Sequence, residues 1–215
     1  MTHLEKIISS AVNDKNLDAI ISDLFVKKGI KVTAVMGMKF TAESEDHPLG
    51  FALGIQLFDV FPIGLIFISD RLCNSLSKEE AEFVVAHEIG HIMLNHLVIS
   101  ASLAFTKEIF ITTLLKRSSL TREEAENIVG GIKLLSTIIS KQTTIEEQIT
   151  AQKELDADKY AVYLQGRREP AFSCLTKLSS KSILGISHIT KNGLFEFPAL
   201  TFAERIRAIE VLRLI

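Results

Sequence analysis

The chain has 215 residues, a formal net charge of −2, 47% hydrophobic and 23% charged residues. That is the size and composition of an ordinary globular domain. No basic run points to nucleic acid. The two cysteines, Cys73 and Cys174, lack paired spacing, which argues against a disulfide framework and fits a reducing compartment such as the cytoplasm.

The elements follow in chain order. Residues 4–28 read as helix with a break near Asn13, closing at Gly29, and have neither the basic start nor the long apolar run of a signal peptide. Residues 30–38, 51–58 and 63–69 are β-rich, and Glu43-Ser44-Glu45-Asp46-His47-Pro48 is a polar loop. Helices are predicted over 77–98, 103–117, 121–140, 144–165, 170–182 and 201–213. Ser77-Lys78-Glu79-Glu80 and Thr121-Arg122-Glu123-Glu124 look like capping boxes at two of their starts. The class is α+β: a small mixed or antiparallel sheet of three to four strands against a mainly helical body. One domain is expected, with a helical segment at 1–29, the sheet at 30–69 and the body at 70–215. Membrane spans need about twenty apolar residues in a row. Residues 97–115 come nearest, but Lys107-Glu108 sits at their centre, and Lys133 interrupts 129–139. This stretch leaves peripheral contact with a membrane surface open.

The most specific signal is His87-Glu88-Ile89-Gly90-His91. Histidines at i and i+4 share a helix face and can reach one Zn²⁺ at about 2.0–2.1 Å. Glu88, next to the first of them, can take a proton from the attacking water. Two exposed histidines on a solvated helix are the plain alternative, yet the helix is apolar, with Phe83, Val84, Ala86, Ile89, Ile92 and Met93 at helical spacing. A catalytic zinc usually has three protein ligands. In the pattern H-E-x-x-H-x-x-G-x-x-H the last histidine is the third, but here Leu94 and Leu97 stand at the glycine and third-histidine positions. His96 is one residue short. On a continuing helix it turns away from the His87/His91 face, so its loss is expected to leave the metal in place. The 144–165 helix offers Glu154-Leu155-Asp156-Ala157-Asp158 instead. Glu154 and Asp158 share a face, the first as third ligand and the second to accept the free ring N–H of His87 and fix its tautomer. A solvated acidic face is the alternative for this segment, with Glu146 and Glu147 nearby. The motif upstream, lacking a third ligand, favours the metal.

This combination, HExxH followed some sixty residues later by ExxxD, resembles the HtpX-type and CAAX-prenyl-protease-type zinc peptidases of the gluzincin clan. Ile66-Phe67-Ile68-Ser69-Asp70-Arg71-Leu72 is similar to that family's edge strand and the lead-in to its motif helix. Phe197-Pro198-Ala199-Leu200 with Glu204-Arg205-Ile206 is similar to its His-Pro and Glu-Arg-Ile segment. The resemblance implies a zinc endopeptidase of zincin type acting on protein or peptide, with one Zn²⁺ held by His87, His91 and Glu154 and Glu88 as the base. It implies that a substrate strand pairs along residues 63–69, Ile66, Phe67 and Ile68 among them. Phe197 replaces the family's histidine, which leaves Arg205 or His188 to stabilise the oxyanion. That replacement also supports two rival readings. One is an idle zinc-binding fold kept for interaction or regulation; the other is a latent form whose 43–48 loop or N-terminal helix covers the cleft. Glu88 speaks against an idle site, because a purely structural metal does not need a base. Neither substrate nor oligomeric state is legible.

Overall fold

A computed structural model of the chain describes residues 10–30, 34–42, 49–57, 61–96, 121–127, 146–180 and 201–212, with Ile7, Ile111, Leu115 and Gly130 as isolated helical positions. The 43–48 loop, most of the apolar stretches 97–115 and 129–139, His188 and Phe197 lie outside the described residues. The elements are β1 (Val12–Asn13), α1 (Lys15–Lys27), β2 (Ala34–Phe40), β3 (Gly50–Leu57), β4 (Phe61–Ser69), α2 (Asp70–Ser75), α3 (Lys78–Met93), α4 (Glu146–Gln165), α5 (Glu169–Ser179) and α6 (Phe202–Glu210). A further helical turn covers residues 122–127. The α+β class therefore holds. Among the described residues no helix is long and apolar enough to cross a membrane.

The break expected near Asn13 is a two-residue strand, with Val12 opposite Lys39 and Asn13 opposite Met38. The Asp14 side chain then accepts from the amides of Asn16 and Leu17 to start α1. At the other end Gly29 takes φ 66°, the left-handed turn that glycine adopts without penalty.

The sheet order is β1-β2-β4-β3, so β4 is interior. It runs parallel to β2, with Ala34 opposite Ile63, and antiparallel to β3, with Gly54 opposite Gly64. Both of its faces are covered. Ile66 and Ile68 join Phe83, Ala86, Ile89 and Ile92 in one core, while Ile63, Leu65 and Phe67 join Phe40, Phe51, Ile111 and Ala125 in another. This corrects the expectation that residues 63–69 form an edge strand. Ile66, Phe67 and Ile68 are buried and paired on both sides, so they cannot offer backbone to a substrate. The physical sign was in the sequence: an unbroken apolar run marks a strand buried on two faces, where an edge strand alternates. Among the described residues β1 and β3 are the outer strands of the sheet, and β3 is the longer of the two.

Helix α3 lies directly on the sheet. A Cβ at Gly64 would stand 2.6 Å from Ile92 Cδ1, so the absence of side chains at Gly64 and the facing Gly54 lets the helix descend onto the strands. Its start is the expected capping box: Glu80 N–H donates to Ser77 Oγ and Ser77 N–H to the Glu80 carboxylate. Glu80 is buried and does more than cap, because it also accepts from Ser173 Oγ and from Lys177 Nζ at 2.6 Å, tying α5 to the base of α3.

Burial alone would push the Glu80 carboxyl up, but Lys177, Ser173 and the Ser77 amide outweigh it and hold the group below the ordinary glutamate range. A carboxylate depressed on folding adds stability above its unfolded pKa and loses it as pH falls through the folded value. Glu80→Gln is therefore expected to cost about 1–3 kcal/mol at pH 7, with the gap to the parent shrinking below about pH 4.5. Denaturant unfolding at neutral and acid pH checks this; an undiminished gap at pH 3 would exclude the charge as its source.

Candidate metal centre

The centre is built where α3 crosses α4. Gly90, inside the HExxH pentad, carries no side chain, and a Cβ there would meet Ala157 Cα and O at 3.0 Å. Two backbones thus approach through a glycine and an alanine. Ala157 sits between Glu154 and Asp158, and the helical period turns both carboxylates toward the histidine face of α3.

Three donor atoms converge. His87 Nε2 and His91 Nε2 are 3.1 Å apart, His87 Nε2 is 3.3 Å from Glu154 Oε2, and His91 Nε2 is 3.2 Å from Glu154 Oε1. Donors at about 2.0–2.1 Å around a tetrahedral Zn²⁺ would be separated by about 3.3 Å, the edge of that tetrahedron. The spacing and the donor chemistry, two imidazoles and a carboxylate, both fit a single divalent ion. Among the described residues this is the one such group of metal-ligating side chains. The histidines are 8% exposed, so the cluster is buried rather than set on a solvated helix face.

Behind the donors the side chains are interlocked. His87 Nδ1 is 2.9 Å from Asp158 Oδ1. Asp158 is fully buried and accepts twice from Arg205, whose Nε and Nη2 stand at 2.7 Å. Arg205 Nη1 is also 3.5 Å from Glu154 Oε2. This bidentate clamp holds the Asp158 carboxylate ionised and so keeps His87 in the tautomer with its proton on Nδ1 and its Nε2 lone pair toward the ion. The two carboxylates also make the cluster strongly proton-seeking. Burial pulls the His87 imidazole down, but the hydrogen bonds and charges of Asp158 and Glu154 outweigh it and carry it up to about 10. Burial pushes Glu154 up, yet the two histidines hold it well below the carboxylate range. A cation answers the same negative field and displaces the protons.

Glu88 is 7% exposed. Burial raises its carboxyl, opposed by His91 and His87. It lies beside the start of β3, where a Cβ at Gly50 would come 3.6 Å from Glu88 Oε1. The base candidate and an outer strand of the described sheet therefore adjoin.

Arg205 donates to Asp158 through Nε and Nη2 and stands 3.5 Å from Glu154 through Nη1, so it holds both of these α4 carboxylates as well as lying at the centre. The described structure departs from expectation at His96, which does not continue the helix. Helix α3 stops at Met93 and Asn95 takes φ 54°, so the backbone turns out of the helix there. This places His96 Nδ1 3.1 Å from His91 Nδ1, on the side of the ring away from the three converging donors. Asparagine, the commonest non-glycine residue in the left-handed region, was the local signal for that turn. Cys73 is half-buried on α2, where Lys39, Asp14 and Asp70 are charged neighbours.

A family model described as peptidase family M48 matches residues 11–210. Relatives include a protein named protease HtpX homolog from Paracidovorax citrulli strain AAC00-1, 28% identical over 158 residues, which are 67% of this chain and 53% of that protein. Another protein of the same name, from Dictyoglomus thermophilum, is 32% identical over 166 residues, 73% of this chain and 53% of its own length. The chain spans about half the length of the curated relatives it matches. No solved structure matches it.

Gly90→Val is expected to force α3 and α4 apart and to weaken zinc binding by about 10–100-fold, the range found when ligand orientation is disturbed. Zinc titration of the folded variant checks this; an unchanged Kd would show that the Gly90–Ala157 approach does not set the donor spacing.

Proposed function

The chain belongs to peptidase family M48, and from that premise we propose that it is a zinc-dependent endopeptidase of the HtpX-like gluzincin type, hydrolysing peptide bonds in protein or peptide substrates. The observation that carries the reading is the convergence of His87 Nε2, His91 Nε2 and the Glu154 carboxylate at tetrahedral-edge separations, with the buried Glu88 carboxylate beside them. A Zn²⁺ held there supplies Lewis acidity, polarising the substrate carbonyl and lowering the pKa of water toward about 7.

The chain's own residues do the rest. Glu88 accepts a proton from the attacking water and passes it to the leaving amine. Its burial raises its carboxyl above the ordinary glutamate value, the direction that makes a carboxylate a better proton acceptor. His87 and His91 act in their neutral forms. Asp158 orients His87, and Arg205 orients Asp158 and Glu154, so Arg205 is a positioning residue in this mechanism.

The peptide is positioned by β3. Leu49 O accepts from Ser69 N–H toward β4, and Gln56 N–H is given outward to Asn95 Oδ1. Antiparallel pairing alternates, so Gly50, Ala52 and Gly54 share the outward direction of Gln56. An extended peptide adding to that edge exchanges main-chain hydrogen bonds with these three residues and passes over Glu88 at Gly50. A buried carboxylate next to a metal cluster favours reaction over a holding role, because a structural metal has no use for a proton acceptor.

Glu88→Gln is expected to bind zinc and fold as the parent does while losing almost all cleavage of a quenched casein substrate, since the attacking water has no proton acceptor. Metal analysis alongside the cleavage assay, with and without chelator, checks this. Undiminished turnover in the variant would falsify the mechanism.

A further inference from the structure

The turn that ends α3 brings a third imidazole to the centre. Leu94 caps the helix, Asn95 N–H donates to Ile92 O at 3.2 Å and His96 N–H to His91 O at 2.9 Å. Together with the positive φ of Asn95 these are the paired bonds of a Schellman motif. The turn is fastened from two further sides. Asn95 Oδ1 accepts from Gln56 N–H of β3 at 2.8 Å, and His96 O accepts from Lys153 Nζ of α4 at 3.2 Å. Sheet, motif helix and ligand-bearing helix all hold one short segment. The result is a half-buried His96 ring set edge-on to His91, centroids 5.2 Å apart, with the two Nδ1 atoms 3.1 Å apart.

Two imidazole nitrogens at that distance need one proton between them. His91 Nε2 faces His87 and Glu154, so as a metal ligand it must be bare, and the His91 proton must be on Nδ1. His96 Nδ1 is then the acceptor, and the His96 proton is on its own Nε2. The arrangement mirrors that of His87, whose outer nitrogen meets Asp158. The two ligand histidines thus have different outer partners, an ionised carboxylate for one and a neutral imidazole for the other.

We propose that His96 is a positioning residue of the metal centre: its Nδ1 accepts the Nδ1–H of His91 and holds that ligand in the tautomer and ring orientation that turn Nε2 onto the ion. The inference rests on the reading of His87, His91 and Glu154 as the metal ligands. It revises the expectation that removing His96 leaves binding untouched. His96 is no ligand, so the site still fills at excess metal, but it fills more weakly.

The test is zinc affinity and the rate of zinc release to a chelator, measured on the full chain for the parent, His96→Leu, His96→Asn and His96→Gln. Asparagine offers an acceptor oxygen at the δ position of the lost ring; leucine has none, and glutamine places its oxygen one atom further out. His96→Leu is expected to weaken binding about 10–100-fold, as losses of a ligand's hydrogen-bond partner do, with one zinc still bound at saturation. His96→Asn is expected to recover most of that loss and His96→Gln less. Nitrogen NMR of the zinc-loaded parent should show His91 protonated at Nδ1 and sharing that proton with His96. If every variant binds and releases zinc as the parent does, or if Asn restores no more than Gln, the positioning role is overturned while the ligand assignment stands. If the parent and His91→Ala are alike in failing to bind zinc, the ligand assignment falls and this inference with it. Should His96→Leu not fold, the Asn and Gln variants decide the question by themselves.

Discussion

Everything at the centre depends on how closely two helices can approach. The pentad presents two imidazoles from α3, but the third donor, Glu154, and the carboxylate that supports His87, Asp158, come from elsewhere in the chain. Gly90 and Ala157 allow the backbones to meet at a distance where larger side chains would clash. From that contact the helical period does the placing. His87 and His91 lie one residue-triplet and one residue away from Gly90 on α3, while Glu154 and Asp158 flank Ala157 on α4. The two glycines that seat α3 on the sheet, Gly54 and Gly64, fix the same helix from the other side. A crossing defined by backbone contact is stiff, because neither side has a rotamer to change, and stiff placement is what a metal site with short, directional bonds requires.

That contact also brings several charges into a poorly solvated place. Glu154, Asp158 and Arg205 would each be costly alone. They are tolerable because each is satisfied by another: the guanidinium fork takes both oxygens of Asp158, Asp158 takes His87, and Glu154 lies between the histidines and Arg205. The net negative character left after these pairings is the attraction for a cation. Arg205 comes from α6, whose start is set by a Thr201–Glu204 capping box. A segment far along the chain is thereby joined to the centre through one side chain. Such a network is expected to fail as a unit, since removing Arg205 leaves Asp158 buried and unpaired.

The sequence made local periodicity legible and long-range order much less so. The pentad, the Ser77 cap and the i, i+4 spacing of Glu154 and Asp158 are all consequences of 3.6 residues per turn, and each can be read without knowing the fold. The order of strands is not of this kind. The apolar run at 63–69 identifies a strand, but its place in the sheet is interior, between β2 and β3, and not at an edge. The position of His96 is hidden for a related reason. Helical periodicity continues to His96 in the sequence, but the helix ends at Met93 and one left-handed residue, Asn95, brings His96 Nδ1 to His91 Nδ1. Gly90 occupies one of the unspecified positions of the HExxH pattern, and nothing local distinguishes a glycine that permits close packing from one that merely fills a position. The adjacency of Glu88 and Gly50 depends on strand pairing and had no local signal at all.

The central claim is that the α3–α4 crossing holds one zinc ion through three side chains. Anomalous diffraction at the zinc edge, from crystals of the zinc-loaded chain, tests it most directly. The account predicts one strong peak, about 2.0–2.1 Å from His87 Nε2, His91 Nε2 and a Glu154 oxygen, with Asp158 and His96 each one atom shell further out, against the Nδ1 atoms. A peak bonded to His96, a peak without Glu154, or no peak at the crossing would contradict it.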